Sequence, residues 1–439
     1  MLDDNIPQPW RARTTLVLTL TLVAVGLGNL QRIPFLMGEH GGAAFFLSYV
    51  VALMLLSAPV LIAEVVIGSL GRGSPGLALH WAASAASVDS RWRFLGVAQA
   101  VLSLILATVA ALSAVWCWHW AAALYSGALA SASANDVAAV FMVFVNDRPA
   151  QFMLVLAALG AAGALSALGI RAGMGLLAWG CLPVVAVTLF GVLDFVFVHT
   201  DLRPVQDFLF ARQSSEWSLS AFWQALGAAG ITLGAGVGVG MALGAQAPPG
   251  LPWARSVLAV AVLDSTFMVI TAVILSALLF ESNVAPTEGL AAVFVGLPYA
   301  FANLPLGETY GALLFAALAL VSWSASVVLL EPVVMLIDSE WGLGRVSGAV
   351  LTATLAAVIA AVSLFTTEVS LLQLGGLAAQ WLLPVSVLLL SIFVGWLMPR
   401  PVLRGELYRE PLWLFRCWWW ALRWLVPPAS VLWFLWGSA

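Results

Sequence analysis

Long apolar runs, separated by short polar or Pro/Gly-rich breaks, follow one another along the whole 439-residue chain. Each run is long enough to cross a bilayer as a helix, which takes roughly 20 residues. The pattern predicts about eleven membrane spans and therefore an all-α polytopic protein. We place the spans near residues 14–36, 42–71, 92–125, 150–168, 173–198, 217–245, 255–281, 309–338, 345–365, 370–398 and 411–435.

The first run is interrupted in its middle. It reads L-V-A-V-G-L-G-N-L-Q-R-I-P from Leu22 to Pro34, with Gly26 and Gly28 two residues apart. Glycine weakens a helix, and proline removes a donor from its hydrogen-bond ladder. A break here frees main-chain groups that hydrocarbon cannot satisfy, so ions and a polar solute are candidate partners. The alternative is a kinked helix whose neighbours satisfy the freed groups.

The sixth run is interrupted in a similar way, reading T-L-G-A-G-V-G-V-G from Thr232 to Gly240. A dinucleotide-binding loop is a weak interpretation, because no strand precedes the segment and it contains no G-x-G-x-x-G. Gly236, Gly240 and Gly244 could instead form a helix-packing face. Corresponding broken helices in two five-span halves favour an inverted-repeat transporter with a site at the midplane. We therefore predict a first repeat over residues 1–200, a second over 201–400 and an additional C-terminal helix over 401–439.

Composition narrows the class of protein further. The chain is 62% hydrophobic and 9% charged, whereas a soluble domain has about 25% charged residues. All 17 basic residues are arginines, and they form no basic patch that would indicate a nucleic-acid partner. The three cysteines are scattered and the four histidines show no metal-ligand spacing, so neither a disulfide framework nor a resident metal site is expected. The first apolar run is too long for a signal peptide and has no cleavage site after it.

The arginines also predict the orientation, since cytoplasmic loops carry an excess of basic residues. With the N-terminus inside, eleven arginines face the cytoplasm and three lie in outside loops. The cytoplasmic set is Arg11, Arg13, Arg72, Arg91, Arg93, Arg171, Arg255, Arg345, Arg400, Arg404 and Arg409, against Arg148, Arg203 and Arg212 outside. We expect a multi-pass protein of the inner (cytoplasmic) membrane with a cytoplasmic N-terminus.

Glu64, Asp264 and Glu331 are carboxylates inside spans, where each is costly and should face the interior. For Glu64 and Glu331 we favour a structural role, in which the carboxylate accepts hydrogen bonds from amides exposed by a break or a proline. For Asp264, in V-L-D-S-T, we favour a functional role. Asn29, Thr232 and Asp264 supply oxygen ligands from three spans, the ligand type that suits a hard cation.

These motifs resemble the neurotransmitter:sodium symporter family, and within it the bacterial amino-acid transporters. The first-span stretch V-G-L-G-N-L-Q-R-I-P and G-E-H-G-G-A-A-F carry the likeness most specifically. Further matches are P-V-L-I-A-E-V-V-I-G in the second span, V-L-D-S-T in the seventh, A-S-V-V-L-L-E-P-V-V-M-L-I-D in the eighth and L-L-P-V-S-V-L-L-L-S-I-F-V-G-W in the tenth. The resemblance implies a five-plus-five inverted repeat with broken first and sixth helices.

The resemblance also implies ligand sets. One sodium ion would be held by the Ala24 carbonyl and the side chains of Asn29, Thr232 and Asp264. A second would use carbonyls of Leu22, Val25 and Val321 with the Ser324 hydroxyl. Arg32 would belong to the outer gate. The implied substrate-binding residues are Ala24, Leu27, Gly28, Leu106, Ala110, Ile231, Thr232, Gly234, Val237, Ala325, Ser326 and Leu329.

The chain departs from the family pattern at several of these positions. The family's third-span tyrosine aligns with Ala110, the second hydroxyl of the second sodium site with Ala325, and the acid of the outer gate with Gly375. Two aromatic positions of the sixth-span pocket are Ile231 and Val237. Losing these large side chains enlarges the pocket and makes it more apolar. We therefore expect a large hydrophobic or aromatic substrate.

The leading hypothesis is a sodium-coupled symporter of amino acids or related small amines, working by alternating access, with sodium, substrate and the bilayer as its partners. One alternative is a receptor or sensor that kept the fold but does not transport. Another is proton-coupled transport through Asp264. A membrane enzyme is not expected, because no nucleophile–base pair stands out. The segment from Glu288 to Pro305 resembles the family's outer lid, or is an interfacial re-entrant helix. The tryptophan-rich last span leaves a homo-oligomer contact open.

Overall fold

Helices make up the regular structure of the part of the chain that the computed structural model describes, namely residues 13–210, 218–284, 289–366 and 370–436. In chain order they are α1 (Arg13–Ala24), α2 (Leu27–Glu39), α3 (Ala43–Gly71), α4 (Pro75–Ala85), α5 (Ser90–Tyr125), α6 (Ala134–Asn146), α7 (Arg148–Ala167), α8 (Ala172–His199), α9 (Arg203–Leu209), α10 (Leu219–Thr232), α11 (Val239–Gln246), α12 (Trp253–Glu281), α13 (Ala292–Ala302), α14 (Gly307–Trp341), α15 (Arg345–Phe365), α16 (Leu371–Leu397), α17 (Arg400–Glu406) and α18, whose consecutive segments are Leu412–Trp420, Ala421–Leu425 and Val426–Trp436.

Eight helices in the described residues are long and apolar enough to cross a membrane. These eight are α3, α5, α7, α8, α12, α14, α15 and α16. Their bounds agree with the predicted spans to within a few residues, which confirms the all-α polytopic fold class. The total of eleven spans and the two five-span repeats stay predictions.

Both predicted helix breaks are present. The first span ends as α1 at Ala24 and resumes as α2 at Leu27, and the sixth ends as α10 at Thr232 and resumes as α11 at Val239. Gly234, Gly236 and Gly238 all have positive φ, a conformation that glycine adopts without steric cost. The glycines found in the sequence therefore do open the helix here.

The interior is organised around α5 and α14, which pack along each other over most of their length. The break between α10 and α11 lies against α3, where glycines replace side chains at the contact. A Cβ at Gly68 would meet the carbonyl oxygen of Met241, and a Cβ at Gly244 would meet that of Val65. Backbone-to-backbone contact at this depth is the usual function of small residues in membrane helices. Gly240 and Gly244 thus form a packing face against α3, while Gly234, Gly236 and Gly238 form the helix break.

Glu331 of α14 is fully buried, and side chains satisfy it rather than freed amides. Arg345 donates to both of its carboxylate oxygens at 2.8 Å, Gln246 donates at 2.8 Å and Ser166 at 3.2 Å. The structural role predicted for Glu331 is present, but the amide donors expected beside Pro332 were the wrong partners. The paired guanidinium offsets the cost of a buried charge.

Several arginines that sequence analysis assigned to the cytoplasm lie at one end of the bundle. Arg13 donates to Ser256 and to the carbonyl of Arg255, and Arg255 pairs with Glu410 at 3.0 Å. Arg72 donates to the carbonyl of Ala247 at 2.6 Å. This shared location agrees with the basic-residue pattern. The orientation itself stays a prediction.

We expect Gly244→Ala to lower the apparent melting temperature of the detergent-purified protein. The added methyl must displace the Val65 carbonyl, and overpacking of this kind costs roughly 1–3 kcal/mol. The matched control is Gly191→Ala in α8, where a Cβ would have nothing within 4 Å and alanine favours the helix. Thermal unfolding followed by size-exclusion chromatography measures both. Equal melting temperatures for the two variants would contradict the close approach of α3 and α11.

Candidate functional site

A cavity of about 470 Å³ lies between the two helix breaks. Its wall is mostly apolar, with Gln31, Arg32, Ser113 and Thr232 among the polar residues that line it. Ile231 is 40% exposed although its helix lies in the protein interior, because part of its surface opens into this space. A largely apolar cavity with a few converging polar groups is the usual form of a small-molecule site.

The break between α1 and α2 brings main-chain dipoles of both signs to this cavity. The N–H of Val25 donates to the carbonyl of Thr21 at 2.9 Å, and Gly26 then adopts an extended conformation. The last carbonyls of α1 and the first N–H groups of α2 lie outside their own helical ladders for this reason. Carbonyls at a helix C-terminus attract cations, and N–H groups at an N-terminus attract anions. The break can therefore hold a zwitterion together with a metal cation.

The second break is stabilised by Glu64 of α3, which is fully buried. Its carboxylate accepts hydrogen bonds from the main-chain N–H groups of Gly236, Gly238 and Gly240 at 2.9–3.0 Å. Ser386 donates to the carbonyl of Gly236 at 2.6 Å. The structural role predicted for Glu64 is what the geometry shows, because the carboxylate fills the N-terminus of α11.

Asp264 is fully buried in α12, close to Thr232 at the end of α10. Tyr49 of α3 connects them, with its hydroxyl oxygen 3.1 Å from Asp264 Oδ2 and 3.2 Å from Thr232 Oγ1. Sequence analysis missed Tyr49. One signal was available, since it is the only tyrosine before Tyr125 and stands in the apolar run F-F-L-S-Y-V-V.

The residues predicted for the first sodium ion are brought to one region. Ala24 and Thr232 both line the cavity, and the Tyr49 hydroxyl links Thr232 to Asp264. The Asn29 side chain lies outside the described residues. Ala24 and Thr232 thus lie at one cavity, and Asp264 is connected to it through Tyr49. The sodium site itself stays a prediction.

The residues predicted for the second sodium ion lie on α1 and α14, which pack against each other. Leu22 and Val25 supply carbonyls at the end of α1, and Val321 and Ser324 belong to α14. The Ser324 hydroxyl donates to the Leu320 carbonyl at 2.6 Å and lies 3.4 Å from Cys181 Sγ. Cys181 is a neighbour of this region that the sequence did not indicate.

The predicted substrate residues divide into two groups. Ala24, Leu27, Gly28, Leu106, Ile231 and Thr232 line the cavity, as does the predicted gate residue Arg32. The remaining residues do not contribute to its lining, namely Ala110, Gly234, Val237, Ala325, Ser326 and Leu329. Val237 is fully buried, and the Leu329 carbonyl accepts a hydrogen bond from Ser103. The space thus extends away from α14.

The cavity instead extends towards α16 and the segment before α13. Sequence analysis did not assign these lining residues to the substrate site: Val23, Gly26, Gln31, Ile33, Val109, Ser113, Ala228, Gly289, Leu290, Leu372, Gly375, Gly376 and Ala379. Gly375 stands where the family has its outer-gate acid. A Cβ there would lie 2.7 Å from Val109 Cγ2, so the close contact with α5 leaves no room for a larger side chain.

The segment predicted as an outer lid reaches the cavity, although residues 285–288 lie outside the described residues. The N–H of Gly289 donates to the carbonyl of Gln31 at 3.0 Å. Leu297 and Phe301 of α13 are fully buried, so this helix packs into the protein. Its contact with α2 places the segment beside one end of the cavity.

Comparison with known proteins agrees with this architecture. Residues 8–138 match the sequence model of the Sodium:neurotransmitter symporter family. An uncharacterized sodium-dependent transporter of Bacillus subtilis is 24% identical over 324 residues, which cover 72% of this chain and 70% of the relative. An uncharacterized sodium-dependent transporter of Methanocaldococcus jannaschii is 23% identical over 449 residues, covering 96% and 88%.

A solved structure has the same fold. The crystal structure of MhsT in complex with L-phenylalanine covers 98% of this chain and 99% of its own, with a TM-score of 0.85 and 23% identity. The long apolar helices and this fold are those of a multi-pass membrane protein. The stretch from residue 8 to residue 138, which contains the first-span motif, is thus similar to the sodium:neurotransmitter symporter family, and these relatives are transporters rather than enzymes.

We expect Glu64→Gln to loosen the loop between α10 and α11. The amide keeps one acceptor oxygen but turns an NH₂ group towards main-chain donors, and losing hydrogen bonds to a charged acceptor costs about 1.5–3 kcal/mol. Hydrogen–deuterium exchange of the amides of Gly236, Gly238 and Gly240 should accelerate at least tenfold. Glu340→Gln is the control, because Glu340 pairs with Arg93 near the surface. Unchanged protection at these three amides would rule out the assigned role of Glu64.

Proposed function

We propose that this protein is a sodium-coupled symporter of amino acids with hydrophobic or aromatic side chains, working by alternating access. The observation that carries the proposal is the cavity between two broken helices. Thr232 lines this cavity, and the Tyr49 hydroxyl connects it to the buried carboxylate of Asp264. The relatives from Bacillus subtilis and Methanocaldococcus jannaschii are sodium-dependent transporters, which supports sodium as the coupling ion. The L-phenylalanine named with MhsT supports the substrate class.

Asp264 is the centre of the proposed coupling. Asp264 is fully buried, and a sodium ion at Thr232 and Ala24 would offset its charge. Tyr49 directs its hydroxyl proton to either Asp264 or Thr232, so it positions both ligands. A substrate carboxylate bound at the α2 N-terminus lies next to the same ion and adds a ligand. Cation and substrate therefore strengthen each other's binding, and this coupling is reciprocal.

The second sodium site is proposed with a reduced ligand set. Ser324 keeps a hydroxyl, while Ala325 supplies none. Leu22, Val25 and Val321 add three carbonyls, and oxygen ligands are what an alkali cation requires. We propose a weaker second ion there, held by main-chain dipoles and one hydroxyl.

The substrate class follows from the cavity wall. Leu27, Leu106, Val109 and Ile231 present aliphatic surface, and the volume of about 470 Å³ exceeds what a small amino acid would fill. Burying an apolar side chain contributes about 25 cal/mol per Å². Main-chain dipoles at Ala24, Leu27 and Gly28 would hold the charged end. We place the protein in the inner membrane with a cytoplasmic N-terminus, in keeping with its arginine distribution.

We expect Asp264→Asn to abolish most sodium-driven uptake in proteoliposomes. Removing the charge should weaken sodium binding by roughly one to two orders of magnitude, as expected for losing a charged contact worth about 1.5–3 kcal/mol. Asp338→Asn is the matched control, because Asp338 is exposed near the end of α14. Both variants are assayed with an imposed sodium gradient and with an imposed pH gradient.

The same assay separates the alternatives. Wild-type uptake that needs no sodium and follows the pH gradient would show that transport is coupled to protons and not to sodium. Binding without accumulation under either gradient would indicate a sensor. Full sodium-driven uptake by Asp264→Asn would refute the coupling role of this residue.

We expect phenylalanine and leucine to raise the melting temperature in sodium more than glycine or alanine do. Ile231→Phe should reverse this order, because the larger ring fills the space that a large substrate needs. Leu263→Phe is the control, since Leu263 is 41% exposed on α12 and does not line the cavity. A thermal-shift screen with and without sodium measures these effects through mass action. A glycine preference in the wild type would contradict the substrate class.

A further inference from the structure

Two arginines contact one tryptophan ring where α16 ends and α18 passes it. The Cζ atom of Arg400 lies 3.5 Å from the Trp419 ring centroid, and that of Arg423 lies 4.9 Å from the same centroid. Arg423 Cζ is also 4.2 Å from the Trp396 centroid and 5.6 Å from that of Trp424. We call these five residues the arginine–tryptophan cluster.

The backbones of the two helices hold the cluster in place. A Cβ at Gly395 would lie 3.1 Å from Arg423 Cα, so the helices cross at close range. Both helices have a π-helical turn here, over Phe393–Leu397 and Ala421–Leu425. The Trp396 indole donates to the Arg423 carbonyl at 3.3 Å. Single π-helical turns frequently mark functional positions.

The cluster brings two positive charges together without a carboxylate. Glu406 accepts a hydrogen bond from Ser69, and Glu410 pairs with Arg255. Among the described residues, no ion pair involves Arg400 or Arg423. Two neighbouring cations repel each other, and an anion between them removes the repulsion.

Two donors of the cluster have no acceptor. Within the described residues, Arg423 Nε and Trp419 Nε1 are buried and make no hydrogen bond. Buried polar groups are normally satisfied, so each exception calls for an unseen partner. An oxyanion at the cluster would supply the acceptor that these donors lack.

A separate apolar groove lies further along the same two helices. It has a volume of about 160 Å³, and Val385, Leu388 and Phe434 are among the residues that line it. These residues lie two to three helical turns from Trp396 and Arg423, deeper along the spans. Trp396 and Trp424 are exposed, as is common for tryptophan at the level of lipid headgroups.

We propose that the arginine–tryptophan cluster binds an anionic phospholipid. The phosphate accepts hydrogen bonds from Arg423 Nε and Trp419 Nε1, and its charge balances Arg400 and Arg423. One acyl chain follows the apolar groove between α16 and α18. A lipid fits better than a soluble anion, because the cluster and the apolar groove lie along the same two membrane helices. Guanidinium groups suit this ligand, since they recognise phosphate through planar, charged hydrogen bonds.

Native mass spectrometry of the full-length protein tests the proposal. The probes are phosphatidylglycerol and phosphatidylcholine with identical acyl chains, titrated separately. We expect the wild type to bind one phosphatidylglycerol about tenfold more tightly than phosphatidylcholine. R400Q/R423Q should lose this preference. The control R91Q/R409Q removes the same charge from exposed arginines outside the cluster and should keep it.

A second variant tests the proposal even if R400Q/R423Q misfolds. Trp419→Phe keeps an aromatic ring and both charges but deletes one donor, so the preference for phosphatidylglycerol should fall several-fold. Three results would overturn the proposal. They are an unchanged preference in R400Q/R423Q and Trp419→Phe, an equal loss in R91Q/R409Q, and saturation of the site by inorganic phosphate at concentrations as low as those of the lipid.

Discussion

Main-chain groups freed inside a membrane must find partners, and this requirement organises the protein around its two helix breaks. Hydrocarbon offers no hydrogen bonds, so each unpaired N–H or C=O would cost several kcal/mol. At the second break the protein supplies the partners itself, because Glu64 accepts three N–H groups and Ser386 donates to the Gly236 carbonyl. At the first break, the freed groups face the cavity. The second break is therefore held by the protein itself, whereas the first break presents its main-chain groups to the cavity.

The same constraint explains where the interior charges lie. Glu331 is held by Arg345, Gln246 and Ser166, which join α7, α11, α14 and α15 near one end of the bundle. Glu64 supports the loop that leads into α11. Asp264 shares the Tyr49 hydroxyl with Thr232, so it lies beside the end of α10 at the second break. A buried carboxylate favours a nearby positive charge, and the proposed sodium ion would supply one.

Local signals predicted more of this structure than long-range ones did. Apolar run lengths gave the spans to within a few residues, and the glycines at 26, 28, 234, 236 and 238 marked both breaks, since these effects depend on neighbouring residues alone. The pairing of Glu331 with Arg345 could not be read from spacing, because it depends on how α14 and α15 pack. Tyr49 stood out in the sequence as an isolated tyrosine in an apolar run, but its contacts with Asp264 and Thr232 depend on how α3 packs against α10 and α12. The cavity extends towards Gly375 and Gly289 because the packing of α5 against α16 shapes it, and no pattern within one helix encodes that.

The helix α16 connects the parts of the molecule that bear on function. Its first turns contribute Leu372, Gly375 and Ala379 to the cavity wall. Ser386 lies further along the helix and is bonded both to Gln99 and to the loop at the second break. Trp396, at its far end, bonds to the backbone of α18. A rigid displacement of α16 would therefore change the width of the cavity, strain the Ser386 contact and move the Trp396 contact together. Because Ser386 ties it to the loop that Glu64 holds, α16 can move at the cavity only if that hydrogen bond breaks or if the loop follows it.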